Sequence, residues 1–402
     1  MRQDQNVAPV AIAGVGMHPW GKFGRSFLDY GRVAARAALA DAGLDWTDVQ
    51  LVAGANTWRG GYPGLVSGAA FAQDLGWNGS RLSSSFAACA SGAQALEVAR
   101  AHILAGLCDV ALVVGADVAP DGFFGPFGSG DGTDPDWLRF RLLGATNPTY
   151  FGLYAQRRIS LYGATQRDFA KVKAKNSRAG ALNPNARFTT VVTEDDVLAS
   201  PYVAEPLHLL DICATSDGAA ALVVTSMEYA ERRLAPSTPV KLAGLATHSP
   251  TYPHDIIEMP NFASDSTLGV SAPDETFKRT LALTAYAEAG IGPDDLSLAE
   301  VYDLSTALEL DWYEHLGLCP VGEAERLLHD GVTALGGSLP VNPSGGLASF
   351  GEAVPAQAIA QVVEMTLQVR GDAGQRQVDN AHAAVAINHG LFGHGSAMVV
   401  TG

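Results

Sequence analysis

The chain predicts an α/β fold assembled from one supersecondary unit used twice. Three observations carry that prediction. Apolar strand-like runs alternate with helix-period runs along the whole length, which implies layered sheets and helices. Helix stops fall on glycines followed by acidic turns. Two stretches of the first half recur in the second half in the same order, the mark of a duplicated unit. The 402 residues are 47% hydrophobic and include 44 glycines, enough for a large core and many tight strand–helix turns.

The elements follow in order. Residues 10–15 read as a first strand and residues 30–42 as a helix closed by Gly43; residues 49–54 read as a second strand. The stretch Ala-Leu-Ala-Asp-Ala-Gly-Leu-Asp-Trp-Thr-Asp-Val from Ala38 pairs with Ala-Tyr-Ala-Glu-Ala-Gly-Ile-Gly-Pro-Asp-Asp-Leu from Ala285, an offset of 290 − 43 = 247. Ala93-Gln94-Ala95 pairs with Ala356-Gln357-Ala358, an offset of 356 − 93 = 263. The second offset carries position 89 to 352, so Glu352 is expected at the helix start opposite Cys89. The resulting division places one half in residues 1–120 and 211–236, an inserted loop region in 121–210, and the other half in 237–402.

Composition excludes several classes. A formal net charge of -16 argues against nucleic acid and anionic membrane surfaces. No run of about 18 apolar residues is present, so no membrane span is expected. The first residues, Met-Arg-Gln-Asp-Gln-Asn-Val, lack the apolar segment of a signal peptide. The four cysteines, Cys89, Cys108, Cys213 and Cys319, form no Cys-x-x-Cys pair, and no His/carboxylate cluster has metal-ligand spacing. A reducing cytoplasm and no metal are the expectation.

Four segments can carry chemistry. Cys89 precedes Ala90-Ser91-Gly92 and a helix-period run, which puts its thiol at a helix start where dipole and free N–H groups lower a thiol pKa. Glu300-Val-Tyr-Asp-Leu-Ser-Thr sets Tyr302 and Asp303 at a strand end, where α/β folds place their sites. Asn342-Pro-Ser-Gly-Gly-Leu-Ala-Ser-Phe-Gly-Glu-Ala is a glycine-rich loop running into a helix that starts near Glu352, with Gly346 and Phe350 as pocket candidates. Asn388-His-Gly-Leu-Phe-Gly-His-Gly is a turn between the last two strands carrying His389, Gly390, Gly393 and His394. The insertion opens on a glycine- and aromatic-rich stretch from Asp121. It then concentrates Arg157, Arg158, Arg167, Lys171, Lys173, Lys175, Arg178 and Arg187, a dock for an anionic phosphate group or a solvated helix face.

In combination these segments resemble the thiolase superfamily over nearly the whole chain, and within it the sterol-carrier-type thiolases. Cys-Ala-Ser-Gly at Cys89 resembles the nucleophile loop. Glu300-Val-Tyr-Asp resembles the segment that reads Glu-Val-His-Asp in that branch. Gly351-Glu-Ala stands where thiolases read Gly-His-Pro. The resemblance implies a thiolase fold: duplicated βαβαβαββ halves packed as a five-layer α-β-α-β-α sandwich. The departures fall at the catalytic positions. Tyr302 and Glu352 replace the two histidines, and the final catalytic cysteine is missing from the turn after Asn388.

Those departures resemble the lipid-transfer-protein-like retro-aldolases of bacterial steroid catabolism. The resemblance implies cleavage of a tertiary β-hydroxyacyl-CoA side chain to a 17-ketosteroid and propionyl-CoA. It also implies a homodimeric core in an α2β2 complex with an OB-fold acyl-CoA-binding subunit or hydratase. The CoA thioester is substrate, and no cofactor is expected. Tyr302 would take or relay the alcohol proton, Asp303 would position it, and Glu352 would act as the base behind it or as a proton store. Backbone N–H groups near Cys89 and in the 390–395 turn, with His389 or His394, would hold the thioester oxygen. Cys89, Phe350, Gly346, Gly390 and Gly393 would line the substrate site. Two other readings compete: an acyltransferring thiolase acylated on Cys89, and a non-catalytic lipid-binding scaffold.

Overall fold

The computed structural model describes residues 8–119, 147–234, 239–249, 277–390 and 395–402. Nine strands form one sheet in the order β3-β2-β4-β7-β1-β8-β11-β10-β9. The first-half strands are β1 (Val10–Gly21), β2 (Leu51–Ala55), β3 (Arg81–Ser85), β4 (Val110–Asp117) and β7 (Asp217–Thr225). The second half supplies β8 (Val240–His248), β9 (Leu298–Glu300), β10 (Ala383–His389) and β11 (Gly395–Thr401). A separate hairpin joins β5 (Tyr202–Ala204) to β6 (Leu207–His208).

The halves meet where Val10, Ala11 and Ile12 pair antiparallel with Leu242, Lys241 and Val240. Outward from that seam the order is β1, β7, β4, β2, β3 on one side and β8, β11, β10, β9 on the other. Beyond β9 the place of a fifth strand is held by one parallel bridge, Val341 to Ala299. The same connectivity therefore runs twice, as the sequence repeats predict.

The helices are α1 (Phe27–Ala42), α2 (Gly61–Leu65), α3 (Ser67–Leu75), α4 (Ser91–Leu104), α5 (Asn147–Tyr162), α6 (Gln166–Gly180), α7 (Glu194–Ala199), α8 (Met227–Arg233), α9 (Phe277–Ala289), α10 (Thr306–His315), α11 (Ala324–His329), α12 (Gly346–Ser349) and α13 (Gln357–Arg370). No helix among the described residues is long and apolar enough to cross a membrane. α1 and α9 are counterparts: each ends on a left-handed glycine, Gly43 at φ 65° and Gly290 at φ 69°.

α4 and α13 are counterparts as well, and they correct the sequence register. Both span 14 residues and both follow a 3-10 turn, Ala88–Ala90 and Val354–Ala356. Their starts differ by 357 − 91 = 266, so Pro355 is the positional partner of Cys89. Glu352 lies in the loop ahead of the helix. The chain is first held in a parallel bridge between Glu352 and Thr215 and turns into α13 only after leaving it. The two helix starts approach closely because Gly92 has no side chain; a Cβ there would sit 2.9 Å from the Pro355 carbonyl oxygen.

Three apolar cores explain the layering. The middle core joins Leu96 and Ile103 of α4 to Ile359 and Val362 of α13 and to the inner face of the sheet. Tyr30 and Leu39 of α1 and Phe71 of α3 cover the first half. Leu281 of α9, Trp312 of α10 and Phe169 of α6 cover the second. The stack is α-β-α-β-α, as expected.

The basic insertion is no open phosphate dock at most of its charges. Arg158, on α5, is 2% exposed and binds Glu314 and Glu325. Lys175 binds Glu309 at 2.8 Å, and Arg167 binds Glu194 and Asp195. Arg158 and Lys175 fasten α5 and α6 onto the second half, while Arg167 ties α6 to α7. The glycine- and aromatic-rich stretch from Asp121 lies outside the described residues.

Candidate active site

Strand β9 ends at Glu300, and Tyr302 follows two residues later, 1% exposed. Its hydroxyl donates a hydrogen bond to Glu352 Oε1. The Cys89 thiol donates to the same oxygen at 3.5 Å. The other oxygen, Oε2, accepts from the Cys213 thiol, also at 3.5 Å. One buried carboxylate thus collects a phenol and two thiols from three separate parts of the chain.

Local folding explains how each arrives. Ala88 holds φ 51°, a left-handed backbone uncommon for alanine, so the chain turns sharply and presents Cys89 ahead of α4. Gly390 packs against the same turn: a Cβ there would strike the Ala87 carbonyl. Glu352 is fixed by backbone. Its N–H donates to Ala214 at 2.8 Å, and its carbonyl accepts from Ser216 at 2.7 Å. The loop before it is gripped from both sides. Asp303 accepts from the Leu347 N–H at 2.9 Å and from Asn176 at 3.2 Å, while Lys173 donates to the Ala348 carbonyl and to Ser349 Oγ. Gly346 sits at φ 62°, and a Cβ there would lie 2.5 Å from an Asp303 oxygen.

Electrostatics reverse one sequence expectation. The Cys89 thiol is held well above its usual pKa, first by burial and then by the Glu352 charge. Cys213 is raised in the same way. The helix start loses because burial and the nearby carboxylate both oppose a thiolate. Tyr302 is likewise pushed well up, first by burial and then by its neighbours Cys89 and Glu352. A free tyrosinate is costly here, so Tyr302 can accept a proton only as it passes its own to Glu352. Burial also raises Asp303, with Glu309 adding to the effect, and lowers the lone cation of the Ala348 contact, Lys173, to about 8.

Of the sequence candidates, Tyr302, Glu352 and Cys89 come together. Asp303 directs its oxygens at α12 and Asn176, so it shapes the loop. Phe350 is 3% exposed and stacks on Trp20 at 4.8 Å, a core position. His389 ends β10 with its ring 6.0 Å from that of Phe277. Gly393 and His394 lie outside the described residues. Among the described residues no group of three or more His, Cys, Asp or Glu is arranged to hold a metal.

Sequence reading missed Cys213, Lys173 and Asn176. For Cys213 a signal existed. It lies just ahead of β7, which runs antiparallel to β4 with Gly218 opposite Asp117, so the start of β7 shares the end of the sheet where β4 finishes. The fourth participant is the Arg59–Asp117 pair at 2.6 Å; Asp117 is fully buried and also binds Thr57 and the Val354 N–H.

Known proteins share this architecture. The family model "Thiolase, N-terminal domain" matches residues 10–228, and "Thiolase C-terminal domain-like" matches 270–402. The benzoylsuccinyl-CoA thiolase subunit BbsB of Thauera aromatica is 34% identical over 94% of each chain. The acetyl-CoA acetyltransferase of Methanothermobacter thermautotrophicus is 31% identical over 97% of this chain and 98% of its own. Among solved structures, an Ltp2-ChsH2(DUF35) aldolase superposes with a TM-score of 0.79 at 27% identity, covering 98% of this chain and 97% of that one. Human mitochondrial 3-ketoacyl-CoA thiolase in complex with CoA shares the fold, with a TM-score of 0.69 at 16% identity over 98% of each chain. A repeated strand connectivity, a cysteine turn facing the second half's loop, and matches across both halves make one conclusion: the chain belongs to the thiolase superfamily.

Proposed function

We propose that this protein is a carbon–carbon lyase, a retro-aldolase that cleaves the tertiary β-hydroxyacyl-CoA side chain of a steroid to a 17-ketosteroid and propionyl-CoA. The observation that carries the reading is the Tyr302 hydroxyl bonded to the buried Glu352 carboxylate. Cleavage removes the proton of the tertiary alcohol, breaks the bond between carbinol and α-carbon, and leaves a thioester enolate that is protonated at the α-carbon. Tyr302 takes the alcohol proton while releasing its own to Glu352, and no tyrosinate forms. The proton then returns along the same path to the α-carbon. The thioester stabilises the enolate, so the chemistry needs neither an imine nor a metal, and CoA enters as part of the substrate.

The similarity to an Ltp2-ChsH2(DUF35) aldolase supports a lyase. The same similarity supports an assembly with a second subunit; the complex we propose is a homodimer of this chain bound to an OB-fold acyl-CoA-binding subunit or hydratase as α2β2, in the cytoplasm. Within the site, Cys89, Gly390 and Gly346 shape the substrate side, and His389 stands at the end of β10 as a donor toward the thioester.

A second reading has its own observation. Cys89 and Cys213 give two sulfur functions at one carboxylate, as an acyltransferring thiolase needs. Against it, the charge that gathers both thiols also keeps them protonated. The test is product analysis. The protein with its OB-fold partner is mixed with a 17-hydroxy steroid side-chain CoA ester and no free CoA. A 17-ketosteroid plus propionyl-CoA is expected; turnover of a β-keto substrate that starts only on adding CoA would mean acyl transfer, and no turnover of either would leave the scaffold reading.

A further inference from the structure

We propose that Cys213 is a positioning residue for Glu352, its thiol holding Oε2 so that Oε1 stays turned toward Tyr302. The inference deepens the lyase reading and rests on it for its kinetic part.

Residues 212–216 form a rail between the two motifs that build the site. Ile212 bridges to Ser305, and the Cys213 N–H donates to the Leu304 carbonyl at 3.0 Å. On the other side the Ala214 N–H donates to Leu347, and Ala214 and Ser216 bracket Glu352. The rail therefore fixes the Cys213 side chain relative to both Tyr302 and Glu352. Its thiol lies 3.5 Å from Glu352 Oε2, and among the described residues it is the donor that oxygen has. Oε1 is already occupied by Tyr302 and Cys89.

The chemistry follows from counting donors. Hydrogen bonds to a carboxylate favour its ionised form, and a buried carboxylate without them is neutralised. Glu352 must be ionised to receive the Tyr302 proton. A donor on Oε2 supplies that stabilisation without competing for the oxygen that takes the proton. A thiol suits the place, because burial and the neighbouring carboxylate keep its own proton on sulfur. The second thiol, absent from the final turn, is here a support for the carboxylate, with no covalent role.

Three variants separate the donor from the packing. Cys213→Ser keeps a donor; Cys213→Val fills the space without one; Cys213→Ala removes both. With wild-type cleavage as the baseline, alanine and valine should lower kcat about tenfold with KM little changed, and move the acid limb of the kcat profile up by about half a pH unit or more. Serine should restore the limb. An unmoved limb in all three, or valine behaving like wild type, would overturn the proposal.

A second measurement needs no turnover and stands if the lyase reading fails. The Glu352 carboxylate band is followed by infrared titration, with Glu352→Gln as the subtraction. Its protonation midpoint should rise in alanine and valine and return in serine; one midpoint for all four proteins would refute the role of Cys213 whatever the protein cleaves.

Discussion

The two halves repeat one connectivity but finish it differently. In the first half, β3 is a five-residue edge strand, and the turn ahead of α4 is built from Ala87, Ala88, Ala90, Ser91 and Gly92. In the second half the equivalent edge is a single bridge at Val341, and the loop ahead of α13 is dense with polar contacts. Lys175 donates to the Val341 carbonyl, Asn342 to Glu309, and Ser344 to Glu300. The insertion braces that reduced edge and supplies cations and amides that specify the loop. One half offers close approach, the other offers charge, and the site lies where they face each other.

The largest effect is expected at a buried ion pair of the first half, whose Asp117 also holds the Val354 N–H of the second. Arg59→Met leaves the fully buried Asp117 with Thr57 and Val354 but no counter-charge, and the pair's side chains are 10% and 0% exposed. Loss of one partner of a buried pair should cost about 3–5 kcal/mol in denaturant unfolding. A loss within the range of a surface substitution would mean that the first half does not depend on this pair.

A smaller effect separates the halves by pH. Burial raises Glu300 to about 8, so its neutral form is favoured in the folded protein. That contribution is complete below the usual carboxylate range and is lost as pH rises through about 8, with a slope of at most ~1.4 kcal/mol per pH unit. Lys173, lowered to about 8, acts in the opposite sense and in another window. Its contribution is present at strongly alkaline pH and lost as pH falls through about 8. Thermal unfolding across pH 5–8 should show the falling slope in the wild type and a flatter one in Glu300→Gln. An unchanged slope would place the titrating group elsewhere.

Much of this comparison was readable in the sequence. Gly43 and Gly290 announce α1 and α9 because left-handed stops need glycine, and Tyr302 is readable as a residue just past a strand. The 263-residue offset failed because alanine-rich helices align in several registers, and the bridge at Thr215 that delays α13 leaves no periodic trace. Lys173 reads as part of a basic cluster and Asn176 goes unmarked, since their partners lie more than a hundred residues away: Asp303 is 127 residues from Asn176. The Cys89 shift comes first from burial and then from a carboxylate 263 residues distant, neither of which a local reading of a helix start contains.

The smallest expected effect tests that last point. Alkylation of Cys89 by iodoacetamide near neutral pH should be slower than for a free thiol, and Glu352→Gln should speed it severalfold by removing the charge that raises the thiol. Equal rates would leave burial as the sole cause of the raised thiol.

The central claim is that a proton moves through Tyr302 and Glu352 while Cys89 forms no covalent bond. The most direct measurement is single-turnover cleavage of the hydroxyacyl-CoA in D2O, without free CoA, by wild type, Tyr302→Phe and Cys89→Ala. The account predicts one solvent deuterium added at the α-carbon of propionyl-CoA, a loss of about 10²-fold or more in Tyr302→Phe, and a loss below about tenfold in Cys89→Ala. An inert Cys89→Ala beside an active Tyr302→Phe, with cleavage dependent on added CoA, would contradict it.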